Sequence, residues 1–262
     1  MSRRRFHAPP GAFAPGGKAV TLAGEEARHL RDVLRLKRGE EVFVFDGEGR
    51  EYRCVIEEAR RDGAQLEVSE EVSPASPESP LDLTLATALL KGEKFDLVVQ
   101  KATELGVARI LPVMTKLADV RLRDEGDAIK RTARWQRIAL EAAKQSGRAR
   151  VPQINQPIAF ARLIEDNFQD DFQDAPASFE TSRLLFSERG GVGLLETMER
   201  WPDMPQGATA LVGSEGGWTD EELASAHDAG WNIVTLGGRI MRAETAAIAI
   251  TALLQHLLGD MK

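Results

Sequence analysis

Cysteine is the scarcest chemically reactive residue of this 262-residue chain, which contains only Cys54. A single cysteine excludes an internal disulfide, and its place in the strand-like stretch YRCVI favours a buried thiol over a nucleophile. Long apolar runs are also missing, since none reaches the ~18–20 residues that a membrane-spanning helix needs. The N-terminal stretch MSRRRFHAPPGAF is basic and lacks the apolar segment of a secretory signal. We therefore expect a cytoplasmic protein that does not bind membranes.

Metal-binding and common nucleotide-binding motifs are absent as well. The four histidines lie far apart in the sequence and show no metal-ligand spacing, so we expect no metal site. No Gly-Lys-Ser/Thr follows a glycine-rich turn, and GSEGGW spaces its glycines differently from the dinucleotide-binding motif. Ser214 lies in GSEGG, which does not match the G-x-S-x-G nucleophile elbow. P-loop, NAD-binding and serine-hydrolase functions are therefore poorly supported.

The net charge of −7 is unevenly distributed along the chain. Residues 1–38 contain nine Lys/Arg against three Asp/Glu, and residues 130–150 contain seven Lys/Arg against one acid, Glu141. Two cationic segments on an acidic protein indicate local attraction to a polyanion such as nucleic acid. Two solvated basic faces are the alternative interpretation.

A proline- and serine-rich stretch, SPASPESP at residues 73–80, divides the chain into two regions of different pattern. Before it, residues 1–72 contain a short helical pattern at 25–36, a hairpin pattern at 41–59 and a further strand at 63–72. After it, residues 81–262 alternate strands with helices, which predicts an α/β domain with a mainly parallel sheet. The acidic stretch at 166–178 is predicted to form a surface loop.

Two glycine-rich turns follow predicted strands near the C-terminus, in LVGSEGGWTDEEL and LGGRIMRAETAAIAITALLQ. Glycine lets a ligand approach the backbone, and ligands bind at the carboxyl ends of strands in open α/β sheets. Arg239 and Arg242 precede the last helix, where a cation opposes the helix dipole, so we expect them to meet an anion. Glu244 in the first turn suits that dipole, and an Arg242–Glu244 pair with a purely structural role is the alternative. The apolar run after it predicts a core helix or a dimer interface.

Five stretches, in chain order, resemble the ribosomal RNA small subunit methyltransferase E family. They are EEARHLRDVLRLKRGEEVFVFDGEG, LLKGEKFDLVVQKATELGVARILPV, RWQRIALEAAKQSGRARVPQI, LVGSEGGWTDEEL and LGGRIMRAETAAIAITALL. The resemblance covers nearly the whole chain. The sequence departs from the family pattern at Ser214 and Gly238, where proline is common, and at Trp218, where phenylalanine is usual. These three departures lie in the glycine-rich turns, where they would affect the geometry of ligand binding.

The resemblance implies an S-adenosylmethionine-dependent enzyme that methylates N3 of one uridine in 16S ribosomal RNA. It implies an α/β fold with a C-terminal SPOUT methyltransferase domain at 81–262, a mainly parallel sheet and a deep trefoil knot at about 208–262. A small PUA-like, RNA-binding β-barrel domain at 1–72 precedes it, with 73–80 as linker. It also implies a homodimer whose partner is small-subunit rRNA or the assembled small ribosomal subunit.

The same resemblance implies the site residues. We expect Arg242 to stabilise the uridine anion and Glu215 or Glu244 to accept the N3 proton, with structural roles for both acids as the alternative. The expected cofactor-binding residues are Leu211, Val212, Gly213, Gly216, Gly217, Leu236, Gly237, Arg239, Ile240, Met241 and Thr245. The expected RNA-binding residues are Arg3, Arg4, Arg28, His29, Arg31, Arg35, Gln145, Ser146 and Arg148.

Two other functions stay open on the sequence. One is a SPOUT methyltransferase with another RNA target, and the other is a non-catalytic RNA-binding factor in ribosome assembly. The intact glycine turns and the charged RIMRAET stretch favour a working enzyme over the second.

Overall fold

The computed structural model describes residues 3–165 and 181–262, so the loop predicted at 166–178 lies outside the described residues. The chain divides into two compact units. The first unit comprises Met1–Glu78 and Leu140–Val151, and the second comprises Ser79–Ala139 and Pro152–Lys262. The domain limits expected from the linker, 1–72 and 81–262, stay predictions, and the grouping of 140–151 with the N-terminal part was not foreseen.

The first unit is built on a five-stranded sheet. Its strands pair in the order β1-β3-β4-β5-β2, with β1 parallel to β3 and the other pairs antiparallel. The elements are β1 Arg5–His7, β2 Ala19–Leu22, α1 Gly24–Arg28, β3 Glu41–Phe45, β4 Glu51–Ala59 and β5 Ala64–Val72. The hairpin predicted at 41–59 is confirmed as β3 and β4. A π-helical turn, His29–Val33, extends α1, and helical structure stops before Arg35 because that residue has a left-handed φ of 53°.

Cys54 lies in β4 with its side chain fully buried in the core of the first unit. Burial raises the pKa of its thiol to about 12, since a thiolate there would lose its hydration. We therefore expect Cys54 to resist a thiol reagent at pH 8 in the native protein and to react fully in denaturant. Fast native labelling would contradict the buried position.

The same pKa shift gives a sign for the pH dependence of stability. An unfolded cysteine has a pKa near ~8.5, so the folded state, with its pKa of about 12, binds the proton more tightly. The contribution of Cys54 to stability is complete below pH ~8.5 and falls as the pH rises towards 12. Denaturant titrations at pH 8 and pH 10, compared with a Cys54→Ala variant, measure it.

The described residues of the second unit form a parallel sheet of eight short strands flanked by helices. Seven strands follow the order β11-β13-β10-β12-β6-β7-β8, β9 also pairs with β7, and all the pairings are parallel. The strands are β6 Asp82–Ala88, β7 Arg109–Met114, β8 Gln153–Ile154, β9 Ile158–Ala159, β10 Thr181–Phe186, β11 Val192–Gly193, β12 Gly207–Val212 and β13 Asn232–Thr235. The helices are α2 Lys94–Glu104, α3 Glu125–Ser146, α4 Phe160–Ile164, α5 Leu194–Glu199, α6 Asp220–Asp228 and α7 Ala243–Leu258, with α3 contributing residues to both units.

The predicted parallel α/β architecture is therefore confirmed. The central strands β6 and β12 are buried almost throughout, which explains their nearly unbroken apolar sequences LDLTLATA and ATALV. Glu222 N donates to Thr219 Oγ1 and Thr219 N donates to Glu222 Oε2, so a capping box begins α6. The trefoil knot expected at about 208–262 stays a prediction.

Two negative findings concern the described residues alone. Within 3–165 and 181–262, no helix is long and apolar enough to cross a membrane. Over the same ranges, no three His, Cys, Asp or Glu side chains are grouped so that they could hold a metal ion.

Candidate active site

Three neighbouring strands of the second unit end at the same edge of the sheet. Strand β10 lies between β13 and β12, and all three run parallel. The chain leaves them as Ser187–Glu188 after β10, Gly213–Ser214 after β12 and Leu236–Gly237 after β13. Parallel pairing therefore brings together three loops that are far apart in the sequence, at the position where α/β sheets bind ligands.

A cleft opens between these loops and the start of α7. Residues at the ends of the three strands and residues of α7 line it together. The lining residues are Phe186, Ser187, Glu188, Val212, Gly213, Ser214, Gly217, Trp218, Thr235, Leu236, Gly237, Arg239, Met241, Ala243, Ala246 and Ile250. The mixture of apolar walls with few polar groups is typical of a small-molecule site.

The local geometry favours glycine at two positions in the cleft. Gly217 has a φ of +69°, and a Cβ built there would lie 2.5 Å from Glu188 Oε1. A Cβ on Gly213 would lie 3.1 Å from the ring of Trp218, which is buried and donates from Nε1 to the carbonyl of Phe186 at 2.8 Å. The tryptophan that replaces the family's usual phenylalanine therefore gains a hydrogen bond to the end of β10 that phenylalanine cannot make.

Seven of the eleven expected cofactor-binding residues line the cleft, namely Val212, Gly213, Gly217, Leu236, Gly237, Arg239 and Met241. Four others do not line it. Leu211 is buried in the core cluster beneath the sheet edge, and Gly216 packs against Leu117. Ile240 is 87% exposed, and Thr245 is exposed on α7.

The sequence reasoning missed the loop after β10 and one face of α7. The stretch RLLFSE, residues 183–188, has a strand pattern that ends in two polar residues, Ser187 and Glu188, so both were detectable as strand-end candidates. Ala243, Ala246 and Ile250 follow the i, i+3, i+7 spacing that predicts one helix face. What the sequence could not supply was the order of strands, which places β10 between β12 and β13.

A second group of charged residues surrounds the start of α7. Lys94, the first residue of α2, donates from Nζ to Glu215 Oε1 at 2.7 Å and lies 3.8 Å from Glu244 Oε2. Glu244 is largely buried, and its Oε2 has no hydrogen-bond partner among the described residues. Arg242, the exposed N-cap residue of α7, forms no ion pair within 3–165 and 181–262. Two of the residues expected to act in catalysis, Glu215 and Glu244, therefore lie beside Lys94, and the third, Arg242, is two positions before Glu244. The sequence did not single out Lys94.

The two carboxylates differ in their electrostatic surroundings. Burial raises the pKa of Glu215, but the hydrogen bonds from Lys94 and from a backbone N–H, together with the charges of Lys94 and Lys91, outweigh it and leave the pKa below its ordinary value. A carboxylate with a lowered pKa is a weak proton acceptor. Glu244 Oε2, by contrast, has no hydrogen-bond partner among the described residues.

The nine expected RNA-binding residues all lie in the first unit, and several make internal ion pairs. Arg3 contacts the buried Glu51 at 3.1 Å and also the carbonyl of Ser73, and Arg4 contacts Glu40 at 2.8 Å. The exposed residues Arg28 and Arg35 make no ion pair in the described parts of the chain.

The other expected RNA-binding residues have more internal partners. Arg31 contacts Asp32, and His29 packs edge-on against Phe6. Arg148 is buried and bonds to Glu78 at 2.7 Å, while Ser146 Oγ donates to the carbonyl of Ala142. Gln145 is exposed. The exposed members of the nine are thus Arg4, Arg28, Arg35 and Gln145.

Known families and structures match both units. The RNA methyltransferase domain family matches residues 77–255, and the RNA methyltransferase PUA domain family matches residues 22–69. The ribosomal RNA small subunit methyltransferase E of Synechocystis sp. is 34% identical over 91% of this chain and 73% of its own length. That of Bacillus subtilis is 30% identical over 92% of both chains.

A solved structure gives the same result in three dimensions. The crystal structure of a ribosomal RNA small subunit methyltransferase E from Neisseria gonorrhoeae, bound to S-adenosyl methionine, is 34% identical. It covers the whole of both chains with a TM-score of 0.82. These matches confirm the family resemblance and the PUA-like character of the N-terminal region. The chain belongs to the ribosomal RNA small subunit methyltransferase E family.

Proposed function

We propose that this protein transfers a methyl group from S-adenosylmethionine to N3 of a uridine in 16S ribosomal RNA. The observation that carries the proposal is the glycine-lined cleft at the ends of β10, β12 and β13, because its lining residues Met241 and Ala243 flank Arg242 in the chain. Family membership supports the reaction class, and the choice of uridine N3 rests on the resemblance.

The cleft fits the chemical groups of S-adenosylmethionine. Leu236, Met241 and Ile250 offer apolar surface for an adenine ring. Ser214 Oγ is buried in the lining without a hydrogen-bond partner among the described residues, so it is available to a polar ligand atom. Because this serine stands where the family commonly has proline, the hydroxyl is an addition of this chain.

Two charged side chains complete the fit. Glu188 directs a carboxylate into the cleft and is suited to the hydroxyl or positively charged groups of the cofactor, while Arg239 is suited to its carboxylate. The described lining therefore contains groups complementary to the carboxylate of the cofactor and to its hydroxyl or positively charged groups. When bound, the cofactor supplies a methyl group on a positively charged sulfur, which needs no further activation.

In this proposal the protein acts mainly on the uridine. Uracil N3 carries a proton and is a poor nucleophile until that proton leaves. Arg242 stabilises the negative charge that then develops on the ring, and Glu244 accepts the proton. Glu215 is held by Lys94 and keeps the charged group together. The exposed Arg28 and Arg35 of the first unit contact the RNA backbone, which makes binding salt-dependent.

Four further properties belong to the same proposal. The segment at about 208–262 forms a trefoil knot, the protein works as a homodimer in the cytoplasm, and the reaction needs no metal. The apolar α7, with Leu253 partly exposed, supports an interface between two copies.

Nucleoside mass spectrometry tests the proposed reaction. Small ribosomal subunits from a strain that lacks this enzyme are incubated with the protein and isotopically labelled S-adenosylmethionine, then digested to nucleosides. We expect label in 3-methyluridine with the wild-type protein and a strong decrease with Arg242→Ala. Label in another nucleoside would move the target within RNA methyltransferases. No label from a preparation that binds the cofactor would favour the non-catalytic assembly factor.

A further inference from the structure

Lys94 occupies an unusual position for a cation. It is the first residue of α2, where a positive side chain opposes the helix dipole, so another interaction must favour it there. The structure supplies that interaction from two distant segments: Glu215 of the turn after β12 at 2.7 Å, and Glu244 of the first turn of α7 at 3.8 Å. One ammonium group therefore lies between the only two acids expected in catalysis.

The sequence allowed an ion pair between Arg242 and Glu244, but in the structure Glu244 lies near Lys94 instead. Arg242 and Glu244 are two positions apart at the start of α7, yet Glu244 faces Lys94 and Arg242 makes no ion pair among the described residues. The positive charge of Arg242 nevertheless acts electrostatically on Lys94. The hydrogen bond to Glu215 is the main cause that raises the pKa of Lys94, and the charges of Glu215 and Glu244 add to it, whereas Arg242 lowers it.

We propose that Lys94 is a positioning residue for methyl transfer: it binds Glu215 and Glu244 so that the guanidinium of Arg242 stays unpaired and available to the uracil. This inference rests on the proposed function of Arg242. Without Lys94, the two carboxylates lose the ammonium group that lies between them, and Lys91 is the other lysine whose charge acts on Glu215. Arg242 then pairs with Glu244, and the site loses its anion-stabilising group and its proton acceptor in one contact.

Kinetics of four proteins test the inference: wild type, Lys94→Met, Arg242→Ala and the double variant. Lys94→Met is expected to lower kcat about tenfold, within the usual range for a coupled pair of residues, while the cofactor Kd and the Tm change little. Lys94→Arg keeps a cation and is expected to retain most of the activity. In the Arg242→Ala background, Lys94→Met is expected to cause no further loss, since Lys94 acts through Arg242.

Equal losses from Lys94→Met in both backgrounds would overturn the inference, because they would show a role independent of Arg242. So would a loss confined to cofactor Kd or Tm, which would indicate a structural tie between α2 and the glycine turn.

A crystal structure of the Lys94→Met protein provides a readout that does not depend on activity. We expect an Arg242–Glu244 contact there, and an Arg242 that still has no partner contradicts the inference. If Arg242→Ala alone retains full activity, the catalytic assignment of Arg242 and this inference both fail. Formation of labelled 3-methyluridine by the wild type would still support the proposed reaction.

Discussion

Replacing Arg242 with alanine is expected to lower kcat by ~10²–10³-fold, the usual effect of removing one preorganised group that stabilises a developing anion. Cofactor affinity is expected to survive, because Arg242 does not line the cleft. The residue is exposed at the N-cap of α7, so its removal leaves no buried group unsatisfied and the fold is expected to remain intact. Single-turnover kinetics with small subunits, together with calorimetric titration of S-adenosylmethionine, measure both quantities.

Two arginines of the same unit are suitable controls. Arg239 lines the cleft, so Arg239→Ala is expected to raise the cofactor Kd with a smaller effect on kcat at saturation. Arg200 forms an exposed pair with Glu196 at 2.6 Å and does not line the cleft, so Arg200→Ala is expected to change neither quantity. If Arg242→Ala and Arg239→Ala give the same kinetic pattern, the division between a catalytic and a binding arginine is wrong.

Replacing Gly217 with valine is expected to weaken cofactor binding about tenfold or more. Gly217 has a φ of +69°, where an L-residue costs ~1–2 kcal/mol, and branching at Cβ adds to that cost. The new Cβ would also lie 2.5 Å from Glu188 Oε1, so this flexible carboxylate must shift from its place in the cleft. Calorimetric titration of the cofactor and thermal unfolding of the free protein separate lost binding from lost stability.

Gly238 provides a matched control for this experiment. A Cβ at Gly238 meets no atom within 4 Å, its φ lies outside the left-handed region, and it is absent from the cleft lining. Gly238→Val is therefore expected to leave cofactor affinity near the wild-type value, although it lies in the neighbouring glycine turn. Equal weakening by both substitutions would show that general loop stiffness, and not the conformation at Gly217, controls binding.

Much of the fold was predictable because it depends on local and periodic signals. The alternation of strands and helices gave a parallel sheet, and the buried strands β6 and β12 carry the apolar runs that such a sheet requires. Thr219 and Glu222 specify the start of α6 by chemistry within four residues. The helix predicted at 25–36 was too long, since the left-handed backbone at Arg35 cannot be read from an apolar period.

The candidate site was only partly predictable, because side-chain partners depend on distant residues. Glycine turns after strands identified Gly213, Gly217 and Gly237, but no local signal indicated that the loop of Glu188 would lie beside them. Charge patterns along the chain identified basic segments as RNA-binding candidates. In the structure, however, Arg148 is buried and forms an ion pair with Glu78.

The sequence by itself determined the family, the parallel α/β region and the two glycine turns, because each depends on residues that are neighbours in the chain. Only the tertiary structure decided which charges meet. Lys94 and Glu215 are 121 positions apart, and they form a hydrogen bond because parallel strands bring the start of α2 and the turn after β12 to one edge of the sheet. Ion pairs act over a few ångströms in space, so their partners are fixed by the order of strands and not by distance along the chain.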